Sequence, residues 1–182
     1  MIYIVNGAPG CGKTTFETLC EQLVRYSAVD IYSTVDFVKD VAQFCGWKGD
    51  KTPENRKFLS DLKKLLTEWN NIPYKKTVQF VESSIQLFHE HDYRDSEYAI
   101  FVDCREPEEI TKLKVALGAK ALLIRRESSE QISASNSSDK NVFDYEYDIV
   151  VNNNGSLDDL KTATLKFLIS EGLPINEKTS EQ

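Results

Sequence analysis

The sequence lacks a long hydrophobic run. Its apolar stretches fall short of the roughly 20 residues that a membrane-spanning helix needs. The N-terminus also lacks the basic region, the apolar segment and the cleavage site of a signal peptide. We therefore expect a cytoplasmic protein that makes no contact with a membrane.

Cysteine and basic charge are also scarce. The four cysteines are widely separated and form no C-x-x-C pair, which argues against a disulfide framework or a zinc site. Lysine and arginine number 22 against 29 acidic residues, so the formal net charge is −7 at pH 7. Because nucleic-acid binding usually needs a basic face, this balance argues against a nucleic-acid partner. The remaining composition, with 41% hydrophobic and 28% charged residues, is typical of a globular domain.

Strand-like and helix-like segments alternate along the chain. The strand-like segments are nearly continuous apolar runs, as expected where helices cover both faces of a parallel sheet. The predicted strands are 2–6, 28–33, 98–103, 119–125 and 147–152. The predicted helices are 13–26, 35–45, 53–69, 73–91, 107–117 and 156–170. This order predicts the α/β class, with a doubly wound five-stranded parallel sheet.

Residues 1–175 are predicted to form one domain, followed by a polar tail over 176–182. Two segments depart from simple alternation. Residues 35–95 hold three helices where one crossover would suffice. Residues 127–143 are rich in Ser and Asn and predict a mobile loop.

Within the insertion, Thr52 is predicted to cap a helix whose apolar residues fall on one face: Phe58, Leu62, Leu65, Leu66 and Trp69.

The stretch "NGAPGCGKTT" follows the first predicted strand. Its spacing fits G-x-x-x-x-G-K-[ST], the P-loop or Walker A motif, in which backbone N–H groups surround a phosphate at a helix N-terminus. In that motif Lys13 reaches the β- and γ-phosphates and the Thr14 hydroxyl binds Mg²⁺. The predicted nucleotide contacts are Gly7, Gly10, Cys11, Gly12, Lys13, Thr14 and Thr15.

Polar residues follow the other predicted strands, and ligands of open α/β sheets gather at that edge. Asp103 ends the third strand and is the predicted second Mg²⁺ residue. Arg105 either clamps a substrate phosphate or forms a surface ion pair with a nearby glutamate. Arg125 and Arg126 end the fourth strand, where one or both stabilise charge on a transferring phosphoryl group. The run 152–154 is interpreted as a turn and helix cap, with a contact to adenine as the alternative.

The helical insertion is locally basic. Residues 46–80 carry eight Lys or Arg against four Asp or Glu. This region faces an anionic small ligand or is a solvated helix surface. Asp36 and Lys39, just after the second strand, and Arg56, within the basic helix, are predicted to contact the substrate.

The P-loop, the helical insertion, the Asp-x-Arg segment and the arginine-flanked loop together resemble the P-loop small-molecule kinases of the adenylate kinase type. The stretch "VDCREPEEI" is similar to the Asp-x-Arg segment of phage-type deoxynucleoside monophosphate kinases and of animal phosphomevalonate kinases. The resemblance implies that 35–95 is the acceptor-binding region and 127–143 a short lid. The adenylate kinase signature Asp-Gly-Phe-Pro-Arg is absent, "DCREP" standing in its place, which argues against AMP as the acceptor.

The expected activity is therefore ATP- and Mg²⁺-dependent phosphoryl transfer to a small phosphorylated acceptor, favoured to be a nucleoside or deoxynucleoside monophosphate. Its catalytic charges would come from Lys13, Arg105, Arg125 and Arg126. Two alternatives stay open. One is a kinase of a hydroxyl group with Asp36 as the base, and the other is a non-catalytic ATP-binding regulator. A GTPase is disfavoured because no Asn-Lys-x-Asp stretch occurs.

Overall fold

A computed structural model describes residues 1–129 and 141–176. Its sheet has five strands in the order β2-β3-β1-β4-β5, and every neighbouring pair is parallel. The strands are β1 (Ile2–Asn6), β2 (Val29–Ser33), β3 (Ala99–Asp103), β4 (Lys120–Arg125) and β5 (Ile149–Asn152). The predicted parallel sheet is confirmed, with each strand start within two residues of its expected position.

Helices follow the strands as the alternating pattern predicts. They are α1 (Lys13–Leu23), α2 (Asp36–Phe44), α3 (Pro53–Asn70), α4 (Ile72–Glu90), α5 (Pro107–Leu117) and α6 (Leu157–Glu171). The prediction that the first helix continues to residue 26 is wrong. Val24 is extended and forms an isolated antiparallel bridge with Ile175, and the next residue donates its N–H to Pro174 O. This contact with the chain beyond α6 ends α1 early.

Helices cover both faces of the sheet. On one face, Tyr3 of β1 and Phe101 of β3 stand beside each other in register and pack against Phe16 of α1 and Phe167 of α6. On the other face, Tyr32 of β2 stacks on a side chain of α4, and α4 in turn packs against α5. Because successive side chains of a strand alternate between faces, this arrangement gives the doubly wound fold that was predicted.

Helix α3 begins as predicted, with the Thr52 side chain accepting a hydrogen bond from the N–H of Asn55 at 3.3 Å and with Pro53 in its first turn. Its apolar face does not enter the core. No side chain of α3 is fully buried, and Leu65 and Trp69 are 62% and 77% exposed. The helix packs mainly against α2 and α4 at the outside of the domain and contacts α5 through an ion pair, which leaves part of its apolar stripe uncovered.

Three helices, α2 to α4, lie between β2 and β3, where the insertion was predicted. Of the predicted lid, residues 130–140 lie outside the described residues, as do 177–182 of the predicted tail. Over the ranges 1–129 and 141–176, no helix combines the length and the apolar character needed to cross a bilayer.

Candidate phosphate-binding site

The P-loop leaves the end of β1 and returns into α1. Asn6, fully buried at the end of β1, accepts a hydrogen bond from the N–H of Gly7 at 2.8 Å. Further on, the N–H of Cys11 donates to Ala8 O at 3.1 Å, and the loop enters α1 at Lys13. The Lys13 ammonium curls back to donate to Gly7 O at 3.3 Å. The loop is thus closed by its own hydrogen bonds with the lysine across it.

Two glycines are required by close packing around the loop. A Cβ atom on Gly7 would lie 2.5 Å from Ile124 O and 2.6 Å from the Cys11 sulfur. At Gly12, where φ is 99°, a Cβ atom would collide with the side-chain amide of Asn153. Only glycine fits these positions, because the first lacks space for a side chain and the second also has left-handed backbone. Cys11 itself is buried and is one of the residues around the loop that pack against Gly7.

Asn153 holds the loop from the far side. Its buried side chain donates to Cys11 O at 2.8 Å, and its own N–H donates to Arg125 O at 2.7 Å. The sequence interpretation of 152–154 as a helix cap is wrong, because α6 is capped by Ser156 in a reciprocal pair with Asp159. The only sequence signal for this role of Asn153 is its position at the carboxyl end of β5.

A cavity of about 540 Å³ opens over the P-loop. It is lined by Ala8, Gly10, Cys11, Gly12, Lys13, Thr14, Thr15, Arg126, Asn153, Gly155, Ser156, Leu157 and Leu160. The N-termini of α1 and α6 both border it, and helix N-termini favour anions. Of the three arginines predicted to be catalytic, Arg126 lines this cavity, whereas Arg125 ends β4 and Arg105 follows β3. The carbonyl oxygen of Arg125 accepts a bond from the N–H of Asn153.

Asp103 ends β3 beside the P-loop strand, in register with Val5. Its Oδ1 atom is buried without a hydrogen-bond partner. Burial raises the pKa of this carboxyl, and the positive charges of Lys13 and Arg105 oppose that increase. The structure therefore brings together the predicted lysine, aspartate and arginine at the carboxyl edge of the sheet.

Glu17 is a site residue that the sequence analysis missed. It lies one turn after Lys13 on α1 and is only 2% exposed. Its Oε1 atom is also buried without a partner. Burial and then the negative charge of Asp103 raise the pKa of Glu17, while Lys13 lowers it. A buried glutamate in the first helix after a P-loop motif has no signature in the motif itself.

These residues fit a magnesium ion. Mg²⁺ prefers oxygen ligands and keeps several of its water molecules. Thr14 presents an exposed hydroxyl at the start of α1, and the carboxylate of Asp103 has a buried oxygen that no protein group satisfies. A hydrated cation beside Thr14 would supply the missing partner, so the predicted metal residues suit the ion.

The predicted substrate residues occupy three positions on the insertion side. Asp36 begins α2, where it accepts bonds from the N–H of Ser33 and from the Lys39 ammonium, each at 2.7 Å. Arg105 follows Asp103 with an exposed side chain, and its carbonyl accepts a bond from the Asn6 side chain at 3.3 Å. Arg56 is exposed near the start of α3, and its role stays a prediction.

No protein-family model matches this chain, and no curated protein matches it. Several kinases stand among the similar solved structures. Dephospho-CoA kinase from Campylobacter jejuni is 17% identical, with a TM-score of 0.49 over 93% of this chain and 96% of that one. Thymidylate kinase from Ehrlichia chaffeensis is 12% identical, with a TM-score of 0.48 over 93% and 97%.

Shikimate kinase from Aquifex aeolicus is 13% identical, with a TM-score of 0.46 over 95% of this chain and 99% of that one. These three proteins differ in the molecule that their names give as substrate. At such identities and TM-scores the similarity carries no argument about activity. The function of this chain has to be inferred from its own site.

Proposed function

We propose that this chain is an ATP- and Mg²⁺-dependent kinase of a small phosphorylated acceptor, most simply a nucleoside or deoxynucleoside monophosphate. One observation carries the proposal. The P-loop cavity is bordered by two helix N-termini and lined by Arg126 and Lys13, and the charge of Lys13 acts on Asp103, a carboxylate with an unsatisfied buried oxygen. This arrangement suits the binding of a polyphosphate with its cation beside it.

Each group has a distinct task in this reaction. Backbone N–H groups of the P-loop and the Lys13 ammonium bind the β- and γ-phosphates. Arg126 faces the same cavity and stabilises negative charge that develops during transfer. Thr14 and Asp103 would hold Mg²⁺, which neutralises phosphate charge when bound. Catalysis then depends on positioning and charge rather than on a covalent intermediate.

The residues predicted to bind the acceptor favour a phosphate over a hydroxyl as the group that is phosphorylated. A phosphate oxygen is already ionised at neutral pH and needs no general base, whereas a hydroxyl nucleophile does. Asp36 is the candidate base, yet its two oxygens are engaged by Ser33 N–H and Lys39. Arg105 is exposed at the same edge of the sheet, where its charge acts on Asp103. An arginine suits bidentate binding of an acceptor phosphate.

The test is an acceptor screen. The protein is incubated with Mg-ATP and a panel of nucleoside monophosphates, nucleosides and other phosphorylated metabolites. ADP formation is followed by a coupled assay, and the product is identified by phosphorus NMR. We expect the fastest ADP formation with a monophosphate acceptor and a new phosphoanhydride in the product.

Two outcomes would contradict the proposal. A phosphate ester formed on a hydroxyl group would favour the hydroxyl kinase. Tight ATP binding without any acceptor-dependent ADP would favour the regulatory module.

A further inference from the structure

Two carboxylates at the base of the P-loop each have a buried oxygen without a partner. Among the described residues, Glu17 Oε1 and Asp103 Oδ1 are the only buried side-chain polar atoms left without a hydrogen bond. Buried polar groups are almost always paired, because an unsatisfied one destabilises the fold, and more so if it is charged. Two such atoms in one place call for a shared explanation.

The two carboxylates belong to one electrostatic cluster. Glu17 lies four residues after Lys13 on α1, so the two side chains share a face of the helix. The charge of Asp103 acts on Glu17, and the charge of Lys13 acts on both carboxylates. Thr14, the predicted metal ligand, precedes Glu17 by one helical turn.

The cations near this cluster do not satisfy the two buried oxygens. Lys13 acts on both carboxylates, and its ammonium donates to a carbonyl oxygen of the P-loop, whereas Arg105 and Lys39 act on the aspartate. In the part of the chain that the structure describes, no group donates a hydrogen bond to Glu17 Oε1 or to Asp103 Oδ1. The low exposure of Glu17, 2%, denies it the bulk water that would otherwise solvate it. A hydrated divalent cation would add positive charge beside Glu17 and supply the missing hydrogen-bond donors.

We infer that Glu17 is a positioning residue for the magnesium ion of this site, acting together with Asp103 through water molecules bound to the ion. The inference rests on the proposed function. It adds a residue that lies outside the P-loop motif, in which only the lysine and the threonine are assigned to phosphate binding and metal binding. Glu17 contacts neither ATP nor the acceptor in this role.

The test uses Mn²⁺ as the probe, with free Mn²⁺ measured by electron paramagnetic resonance in the presence of ADP. The variant is Glu17→Gln, which keeps the shape of the side chain and removes its charge. The control is Glu21→Gln, the same change one turn later on α1 at an exposed position. Loss of an outer-shell partner typically lowers metal affinity 10–100-fold.

We expect Glu17→Gln to weaken Mn²⁺ binding by about tenfold or more, and Glu21→Gln to leave it unchanged. The affinity for ADP in EDTA should change by less than about twofold in both variants, since no metal is present. In EDTA, Glu17→Gln should melt at or above the wild-type temperature, because glutamine replaces a buried carboxyl whose pKa is raised by burial and by the charge of Asp103. A residue with a merely structural role would not give this combination.

Glu17→Gln protein that binds Mn²⁺ as tightly as the wild type would overturn the inference. So would a variant that fails to fold or melts lower in EDTA, because Glu17 would then stabilise the fold rather than the ion. If wild-type protein with ADP bound no Mn²⁺ at all, the proposed function itself would fail. These results separate the two proposals.

Discussion

The side-chain amide of Asn153 donates a 2.8 Å hydrogen bond to the carbonyl oxygen of Cys11 across 142 residues of sequence. The bond joins the carboxyl end of β5 to the middle of the P-loop and is buried. Asn153 also donates its own N–H to Arg125 O, so it fixes the end of β4 as well. One asparagine thus sets the distance between the loop and the strand that leads to Arg126.

Replacing Asn153 with alanine should lower the free energy of unfolding by about 1–3 kcal/mol, because Cys11 O is left buried without a donor. ATP should also bind more weakly, since the P-loop loses its lateral support. Urea unfolding and titration with a fluorescent ATP analogue measure the two effects. Asn152→Ala, at an exposed neighbouring position, is the control and should change neither. Unchanged stability and affinity in Asn153→Ala would contradict the supporting role.

Lys13→Ala should reduce phosphoryl transfer at least about 100-fold while the fold survives. The variant lacks the fixed positive charge that stabilises the negative charge developing on the transferred phosphoryl group. The readout is kcat with the best acceptor, together with circular dichroism of the pure variant. Lys161→Ala removes an equal charge from an exposed position on α6 and should retain wild-type activity. A fully active Lys13→Ala protein would refute the assignment of the P-loop.

The strands, the helices and the P-loop could be predicted because their signals are local. Apolar periodicity marks each element, and the phosphate motif occupies eight consecutive residues, 7–14. Asn6, Glu17 and Asn153 could not be predicted, since their roles depend on residues far along the chain. The Asn6 side chain, for example, bonds Tyr147 at 2.7 Å and Arg105 O at 3.3 Å. These contacts form only in the folded sheet, so the spacing of residues along the sequence does not predict them.

An ion pair links the insertion to the segment after Asp103. Lys63 of α3 contacts Glu109 of α5 at 2.8 Å, and their side chains are only 23% and 16% exposed. We expect a double-mutant cycle of Lys63→Ala and Glu109→Ala to give a coupling free energy above about 1 kcal/mol by urea unfolding, since partial burial strengthens the pair.

The matched control is Lys57 with Asp61, an ion pair on the same helix whose side chains are 76% and 62% exposed. Exposed helix pairs contribute about 0.3–0.5 kcal/mol. Equal coupling in the two cycles would contradict a structural link between the insertion and α5 through Lys63.

The nature of the acceptor decides whether Arg105 or Asp36 matters more. With a phosphate acceptor, Arg105 holds the acceptor charge near the site, and no proton has to be removed from the nucleophile. With a hydroxyl acceptor, loss of the base Asp36 would cost about 10²–10⁴-fold. We predict that Arg105→Ala lowers kcat/KM by at least about 100-fold, comparable to the loss of one transition-state donor.

Asp36→Asn should lower kcat/KM by less than about tenfold, the effect expected of a residue that is not the general base. Asparagine keeps an oxygen that can accept the hydrogen bond from the N–H of Ser33. The substitution breaks the ion pair between Asp36 and Lys39, which is partly exposed and contributes little to stability. Steady-state kinetics of both variants with the best acceptor give the comparison. A nearly inactive Asp36→Asn beside an active Arg105→Ala would reverse the order and identify the acceptor group as a hydroxyl.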